Sequence, residues 1–425
     1  MGQKTPGGAT PARAGTGHSG PHRRLSKGRR LLLALIATAA IPASSPALHA
    51  EGTRTDRSPA SQVSPSSLTT GPVASAPSAR PGTQPSTQRT AAADVSVDPR
   101  AELMSVIFRL AGNPEYSRAK VDSYAKDADK HFAPYKDHAV VVLARKLRAT
   151  RGVSYDAPMS LVPHLTAPPE LKEKVSFEPR PEGLDGRWRI DELREFLHEA
   201  RRFAQDSNFE AFLKAHGELY ETAVERMKAT MAREGHLEWF DAFFGPGSKP
   251  RFRIYLSMLN GGSCYGVRLV GGKETEMYCI LGVWDCDDKG RPRFLRSVMP
   301  TVVHEFAHSY VNPAVSARAK GFEPAGKVIF PQVQKAMSRQ AYGNWQTVVI
   351  ESVVRAAVVL YRSTNEGITA SANEIRDQQD LGFVWCGDLA RLLADYQGHR
   401  DKYPAFDAFM PRIVEFFDQY AREKP

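Results

Sequence analysis

The stretch MPTVVHEFAHSYVNP, residues 299–313, decides the fold, and its centre is the pattern HEFAH, from His304 to His308. Side chains four residues apart lie on one face of a helix, so the imidazoles of His304 and His308 can bind the same Zn²⁺ ion. Glu305 is adjacent to the first histidine and can accept a proton from water that the metal activates. The pattern therefore predicts a catalytic zinc site on a helix. The ordinary alternative is two partly exposed histidines on a helix without metal.

The residues around this pattern favour a helix with buried flanks. Pro300 suits the first turn, where its missing N–H costs nothing. Val302, Phe306 and Tyr310 supply apolar surface on either side of the metal face. Pro313 predicts the end of the helix, because the residue before a proline is displaced from helical geometry.

Length and charge place the folded part of the chain after residue 93. The chain has 425 residues, of which 42% are apolar, and a formal net charge of +10. Residues 1–93 contain eleven Lys and Arg residues against Glu51 and Asp56, so they carry +9 and leave +1 for residues 94–425. A nearly neutral folded region gives no support for nucleic-acid binding.

The N-terminal region has the composition of an export signal followed by a linker. The basic segment RRLSKGRR, residues 23–30, precedes the apolar run LLLALIATAAI, residues 31–41, and small residues follow. This order is typical of a secretory signal peptide, and the apolar run is too short for a membrane span. We therefore predict a signal peptide at residues 1–50, a periplasmic or secreted protein, and no membrane span after cleavage. Residues 51–93, rich in Ser, Thr, Pro and Ala, predict a disordered linker.

Hydrophobic periodicity predicts one mainly helical domain, residues 94–425, in two parts. The first part, about 98–245, has helical spacing at residues 102–110, 116–132, 135–148, 190–203, 209–231 and 237–244, and irregular connection at 149–189. The second part, about 250–425, begins with predicted strands at residues 252–259, 265–270 and 277–284, the last two joined by a hairpin at Gly271-Gly272. After the metal helix, helices are predicted at residues 328–337, 345–361, 370–379, 389–396 and 411–420. The fold class is therefore α+β, mainly α, with a small sheet beside the metal helix.

The four cysteines, Cys264, Cys279, Cys286 and Cys386, permit two disulfides in an exported protein. Cys264 and Cys279 lie in the two strands of the predicted hairpin, where either a bridge or two buried thiols fits the sequence. No C-x-x-C pair is present, which argues against a cysteine zinc site.

A catalytic zinc ion needs a third protein ligand besides the two histidines. A histidine six residues after the motif is excluded, because Ala314 stands there. Glu351, in VVIESVV, is the best candidate, since an ionised carboxylate in so apolar a run needs a partner. Arg355, four residues further on, could instead or also pair with Glu351. Glu323 is a rival ligand, but the Gly and Pro around it predict a loop, which is a less rigid place for a ligand.

Three stretches of the chain together resemble a known family. These are HEFAHSYVNP, QAYGNW and IESVVRA, which begin at His304, Gln340 and Ile350. They are similar to an uncharacterised bacterial family known only as a domain of unknown function, and the resemblance covers most of the folded region. That family is expected to hold zinc metallopeptidases of the gluzincin kind, in which two histidines and a glutamate from a second helix bind the metal.

The resemblance implies a zincin-like fold and a specific set of site residues. It implies zinc ligands at His304, His308 and Glu351, with Glu305 catalytic. The interval between the last two ligands is longer than in many gluzincins, which implies that the helix at residues 328–337 is an insertion between the two ligand helices.

These observations predict a zinc-dependent peptidase that acts on peptides or proteins, with Glu305 as the general base. A further donor must stabilise the oxyanion, and Tyr342, just before the second ligand helix, is the candidate. Tyr342 could equally do no more than pack on that helix, and Tyr310 and Tyr255 are alternatives. One of the preceding strands is expected to bind an extended peptide by edge pairing. Two other functions fit the sequence: a non-catalytic zinc-containing envelope protein that binds peptide or glycan, and an amidohydrolase acting on non-peptide amides.

Overall fold

The computed structural model describes residues 93–245, 250–271 and 274–423, which form a mainly helical α+β fold. The predicted fold class, mainly α with a small sheet, is confirmed. The predicted signal peptide, and the predicted linker up to residue 92, lie outside the described residues. None of the helices in the described ranges combines the length and the hydrophobicity that a bilayer crossing requires.

Four strands and fourteen α-helices follow one another in the described ranges. The elements before the metal helix are β1 Asp94–Val97, α1 Pro99–Leu110, α2 Asp122–Phe132, α3 Ala139–Arg151, α4 Asp156–Ser160, α5 Ile190–Asp206, α6 Phe209–Ala215, α7 Gly217–Glu234, α8 Glu238–Phe244, β2 Arg251–Ser257, β3 Cys264–Leu269 and β4 Glu276–Gly282. The metal helix and its successors are α9 Met299–Ser316, α10 Ala319–Ser338, α11 Trp345–Glu366, α12 Ile368–Asp380, α13 Cys386–Gly398 and α14 Phe406–Glu423.

The four strands form one mixed sheet in the order β1-β2-β4-β3. Strands β1, β2 and β4 are parallel, and β3 runs antiparallel to β4 at one edge. The three predicted strands and the hairpin between β3 and β4 are therefore confirmed, and Gly271 has the positive φ of 102° that the turn requires. Strand β1 was not predicted. It pairs Asp94 with Arg253, and a strand of four residues with so distant a partner leaves no local pattern to detect.

The predicted helices are present, but several of their ends are wrong. The region predicted as one helix at residues 209–231 is two helices, because His216 between α6 and α7 departs from helical geometry. Helix α9 continues to Ser316, so the predicted stop at Pro313 is wrong. A proline inside a helix forgoes one backbone bond, and burial of α9 outweighs that cost.

Helix α10 is longer than the sequence predicted. It begins at Ala319, so the loop predicted around Glu323 is wrong. The side chains of Phe322, Ala325 and Ile329 are buried on one face of α10, and this packing holds the helix together despite Pro324. Glu323 lies beside this buried face, is partly exposed, and pairs with Lys327 at 2.6 Å.

Helix α11 is the central helix around which the metal-site part packs. Every residue from Thr347 to Tyr361 is buried, as expected for a helix that is apolar on all sides. The side chain of Asn344 caps its start by accepting a hydrogen bond from the backbone N–H of Thr347 at 2.8 Å. Helices α9, α10, α12 and α13 pack against α11, and α9 also packs against strands β3 and β4. Glu351 is therefore held against the helix that carries the two histidines.

All four cysteines are free thiols, and Cys264, Cys279 and Cys386 are buried. In the β3–β4 ladder Cys264 is opposite Leu281 and Cys279 is opposite Gly266, so the two cysteines are diagonal neighbours. Of the two alternatives that the sequence left open, the structure has buried thiols rather than the bridge.

Candidate functional site

The packing of α9 on α11 brings together His304, His308 and Glu351. The Nε2 atoms of the two histidines are 3.1 Å apart. The carboxylate of Glu351 lies 3.5 Å from Nε2 of His304 and 3.4 Å from Nε2 of His308. All three predicted ligands thus direct a donor atom at one point between the two helices.

These three distances fit a tetrahedral zinc ion. Ligand atoms about 2.0–2.1 Å from such an ion lie about 3.4 Å from one another. The observed separations of 3.1, 3.4 and 3.5 Å are close to that value without rearrangement of the side chains. Within the described residues, this is the one group of three or more His, Cys, Asp or Glu side chains whose donor atoms are spaced for a metal. The residues present therefore fit the ion that the sequence predicts.

The charge states of two of the predicted ligands, His304 and Glu351, suit a cation, whereas Glu351 raises the pKa of His308, so that a metal would have to displace its proton. Burial lowers the pKa of His304 well below its usual value, so its imidazole is neutral, as a metal ligand must be. Burial alone would raise the pKa of Glu351, but the buried guanidinium of Arg355 beside it opposes this and keeps the pKa below its usual value. The third ligand is consequently ionised at neutral pH.

A buried arginine stands behind Glu351. Nη2 of Arg355 lies 3.1 Å from Oε2 of Glu351 and also donates a hydrogen bond to the hydroxyl of Tyr342 at 2.9 Å. The guanidinium lies 4.5 Å from the ring centroid of Phe383, and it donates to Gln378 as well. The Glu351–Arg355 ion pair, which the sequence offered as an alternative to metal binding, is therefore present. Glu351 forms it while its carboxylate also faces the two histidines.

Tyr342 is fully buried behind the ligand helix. Its hydroxyl accepts from Arg355, and it also interacts with Glu351. Tyr342 thus supports the third ligand from the side of α11. The two other tyrosines that the sequence offered lie elsewhere: the hydroxyl of Tyr255 accepts from Arg100 at 3.0 Å, and the ring of Tyr310 stacks on Phe244.

Glu305 is buried beside the ligands with little to compensate its charge. Its side chain is 0% exposed, and its one hydrogen-bonding contact among the described residues is a weak one with the backbone N–H of Gly266. Burial raises the pKa of Glu305 to about 8, and the nearby His308 only partly opposes this. A carboxylate in this condition is a stronger base than one in water, and a cation beside it would offset its charge.

Strand β3 touches α9 directly at Glu305, through a position that the sequence analysis missed. A Cβ atom on Gly266 would lie 2.2 Å from the carbonyl oxygen of Glu305, so only glycine fits there. An isolated glycine inside a strand pattern is a signal of close backbone approach, and it was available in the sequence. A second missed residue is Asn312, whose Oδ1 lies 2.9 Å from Nδ1 of His308.

Residues 94–416 match a known family, the domain of unknown function DUF4932. The chain belongs to this family. The match spans every predicted site residue, and the resemblance to a domain-of-unknown-function family that the sequence suggested is confirmed at that level. No curated protein and no solved structure was found to match.

In this DUF4932 protein the described residues cover the three predicted ligands almost completely. The exposed fraction is 3% for His304, 2% for His308 and 0% for Glu351. Strand β3 is partly covered as well, because Gly183 packs against the backbone of Arg268. A Cβ atom on Gly183 would lie only 2.0 Å from the carbonyl oxygen of Arg268. Edge pairing of a peptide with one of the strands before the motif stays a prediction, and on β3 it lacks free space at Arg268.

Proposed function

We propose that this protein is a zinc-dependent peptidase. The observation that supports it most directly is that three possible metal ligands lie beside a glutamate that is not itself one of the ligands. His304, His308 and Glu351 hold their donor atoms 3.1–3.5 Å apart, and Glu305 lies beside them, buried and with only a weak contact to the backbone N–H of Gly266. Structural zinc sites almost always use four protein ligands and have no need of an adjacent free carboxylate.

The chain's own residues would divide the reaction between them. A zinc ion held by the three ligands would make water more acidic and polarise a peptide carbonyl. Glu305 would take the proton from the attacking water and pass it to the leaving amine, which is general base and then general acid catalysis. Asn312 would keep the ring of His308 oriented, and Arg355 would keep Glu351 ionised and fixed in position.

The oxyanion role predicted for Tyr342 stays a prediction. Its hydroxyl accepts from Arg355 and interacts with Glu351 through its own proton, so it would have to give up Glu351 in order to donate to a substrate oxygen. A supporting role, in which Tyr342 holds Arg355 against Glu351, requires no such movement. Tyr342→Phe distinguishes the two, since loss of an oxyanion donor lowers kcat about 10²–10³-fold while zinc affinity is unchanged.

A second function, a non-catalytic zinc-containing protein that binds peptide or glycan, draws support from a different observation. The ligands and Glu305 are all 3% exposed or less. A metal held so deep would serve stability, and catalysis would need a route for substrate to the metal. The leader sequence supports an exported location for either function.

The experiment that separates these functions compares two matched glutamate variants of the full chain. Zinc content and hydrolysis of an unfolded protein are measured for the wild type, for Glu305→Gln, and for Glu323→Gln, which changes a partly exposed glutamate on α10. We expect stoichiometric zinc in all three, cleavage by the wild type and Glu323→Gln, and none by Glu305→Gln.

Each contrary result has a clear meaning. Hydrolysis retained in Glu305→Gln, or unaffected by a chelator, contradicts the peptidase. Bound zinc without cleavage in the wild type favours the binding protein, and cleavage of simple amides but not of peptides favours the amidohydrolase. Loss of zinc from Glu323→Gln would make that residue the third ligand in place of Glu351.

A further inference from the structure

A cleft of about 340 Å³ opens beside the metal helix. It lies where the second half of α9 meets strands β3 and β4, the end of α8 and the start of α14. Its apolar walls are formed by Phe244, Met277, Pro313, Ala314, Ala405 and Phe406. The volume is at the lower end of the 300–1,000 Å³ typical of small-ligand pockets, which suits one large side chain.

The cleft continues the contact between α9 and β3 that begins at the candidate catalytic residue. Glu305 and Ser309 are four residues apart on α9, so they lie on the same helix face. Gly266 and Arg268 are two residues apart on β3, so they lie on the same face of the strand. Gly266 touches Glu305, while Arg268 and Ser309 both line the cleft. The cleft therefore begins one helical turn from Glu305 along α9.

Two hydroxyl groups in the cleft have no hydrogen-bond partner among the described residues. They are Oγ of Ser309 and the phenolic oxygen of Tyr310, and both atoms are buried. The ring of Tyr310 is fixed by stacking on Phe244, with centroids 4.3 Å apart and planes 7° apart. A buried hydroxyl without a partner is costly, so these two groups favour a ligand that carries a hydrogen-bonding atom into the apolar cleft.

The formal charges around the cleft are already compensated within the protein. Arg268 pairs with Glu182 at 3.2 Å, and Asp407 pairs with Arg318 at 2.6 Å. The two charged residues that line the cleft consequently offer no unpaired formal charge to an acidic or basic side chain. The cleft is an apolar slot that contains two hydroxyl groups and the buried Nε–H of Arg268, which also lacks a hydrogen-bond partner among the described residues.

We propose that this cleft binds the side chain of a residue flanking the scissile bond and that it prefers tyrosine. The phenyl ring would pack on the apolar walls, and the phenol would exchange hydrogen bonds with Ser309 and Tyr310. This inference rests on the proposed peptidase function and names the side chain that the same site selects.

The test uses the zinc-loaded full chain and peptides that differ at one residue. The residue before or after the scissile bond is Tyr, Phe, Leu or Glu, and kcat/KM is measured for each peptide. We expect the Tyr peptide to exceed the Phe peptide about tenfold, because a site that hydrogen-bonds a hydroxyl rejects the analogue that lacks it. Tyr310→Phe and, separately, Ser309→Ala are expected to reduce this ratio towards 1.

Tyr135→Phe is the matched control, since it removes a hydroxyl that donates to the carbonyl of Asp206 away from the cleft. It should leave the Tyr-to-Phe ratio at its wild-type value. Thermal melting of each variant checks that it is folded. If either Tyr310→Phe or Ser309→Ala does not fold, the other variant still tests the assignment. Equal cleavage of Tyr and Phe peptides by the wild type, or a preference for Glu, overturns the assignment.

A binding measurement separates failure of this inference from failure of the proposed function. Fluorescence polarisation with labelled Tyr and Phe peptides is recorded on Glu305→Gln, alone and combined with Tyr310→Phe. If no peptide is cleaved by the wild type but the Tyr peptide binds more tightly and Tyr310→Phe abolishes the difference, the peptidase is wrong and the cleft assignment stands. If peptides are cleaved with no dependence on Tyr310 or Ser309, the peptidase stands and the cleft assignment is wrong.

Discussion

Nδ1 of His308 lies 2.9 Å from Oδ1 of Asn312, one turn further along α9. The amide oxygen only accepts hydrogen bonds, so Nδ1 donates to it, which leaves Nε2, 3.1 Å from Nε2 of His304, as the nitrogen that would bind a metal. Metal-binding histidines almost always have such a partner on the nitrogen that does not bind the metal. The same helix thus provides two ligands and the residue that orients one of them.

Asn312→Ala is expected to weaken zinc binding without removing a ligand. Loss of an orienting partner of this kind typically costs about 10–100-fold in metal affinity. Competition with a chromogenic chelator measures that change. Asn365→Ala is the matched control. The side chain of Asn365 also makes a hydrogen bond to a residue four positions away, the carbonyl of Tyr361, but it lies at the C-terminal end of α11, away from Glu351. Equal zinc affinity in the two variants would show that Asn312 does not orient the ligand.

Gly266→Ala should destabilise the protein at the contact between β3 and α9. The added methyl group would meet the carbonyl oxygen of Glu305 at 2.2 Å, and backbone atoms cannot turn aside as a flexible side chain can. We expect a loss of roughly 1–3 kcal/mol in the free energy of unfolding, measured by urea denaturation. Gly398→Ala, where an added Cβ meets nothing within 4 Å, should cost nothing. If both variants unfold at the same urea concentration, β3 is not packed as tightly on α9 as described.

The sequence predicted the parts of this site that depend on local spacing. His304 and His308 are one helical turn apart, so spacing indicated both, and Glu351, a charge in an apolar run, was the best candidate for the third ligand. The loop predicted around Glu323 was wrong because burial of one face of α10 outweighs the local signals of Gly and Pro. The cleft could not be predicted, since it joins Phe244 to Asp407 through residues of five separate elements.

Arg355→Met should strongly destabilise the metal-free protein. Arg355 is 3% exposed and Glu351 is 0% exposed, so the change leaves a buried carboxylate without its arginine. Breaking such a pair typically costs about 3–5 kcal/mol, which chemical denaturation in the presence of chelator will measure. Saturating zinc should restore part of the loss, because the ion would provide a second cation beside Glu351.

Lys327→Met is the control for that experiment. Lys327 and Glu323 have the same four-residue spacing on α10, but their side chains are 64% and 45% exposed. An exposed pair contributes at most about 1 kcal/mol, and zinc should not change that value. If zinc does not reduce the loss of unfolding free energy caused by Arg355→Met, then any bound metal lies away from Glu351.

The metal-free protein should lose stability as the pH rises, and Glu305 should account for a large share of the loss. The pKa of Glu305 is raised by burial from 4.5 to about 8, so the folded protein holds this proton more tightly than the unfolded chain does. The resulting stability is fully present below pH 4.5 and is lost progressively up to about pH 8, by roughly 3–5 kcal/mol in total. Glu305→Gln cannot ionise and should lack this component, while groups that do not interact with Glu305 titrate alike in both proteins and cancel. Urea denaturation of wild type and Glu305→Gln at pH 5 and at pH 8.5, both with chelator, measures the difference. If the gap between the two proteins is the same at both pH values, Glu305 has an ordinary pKa and is not the desolvated base that the proposed reaction needs.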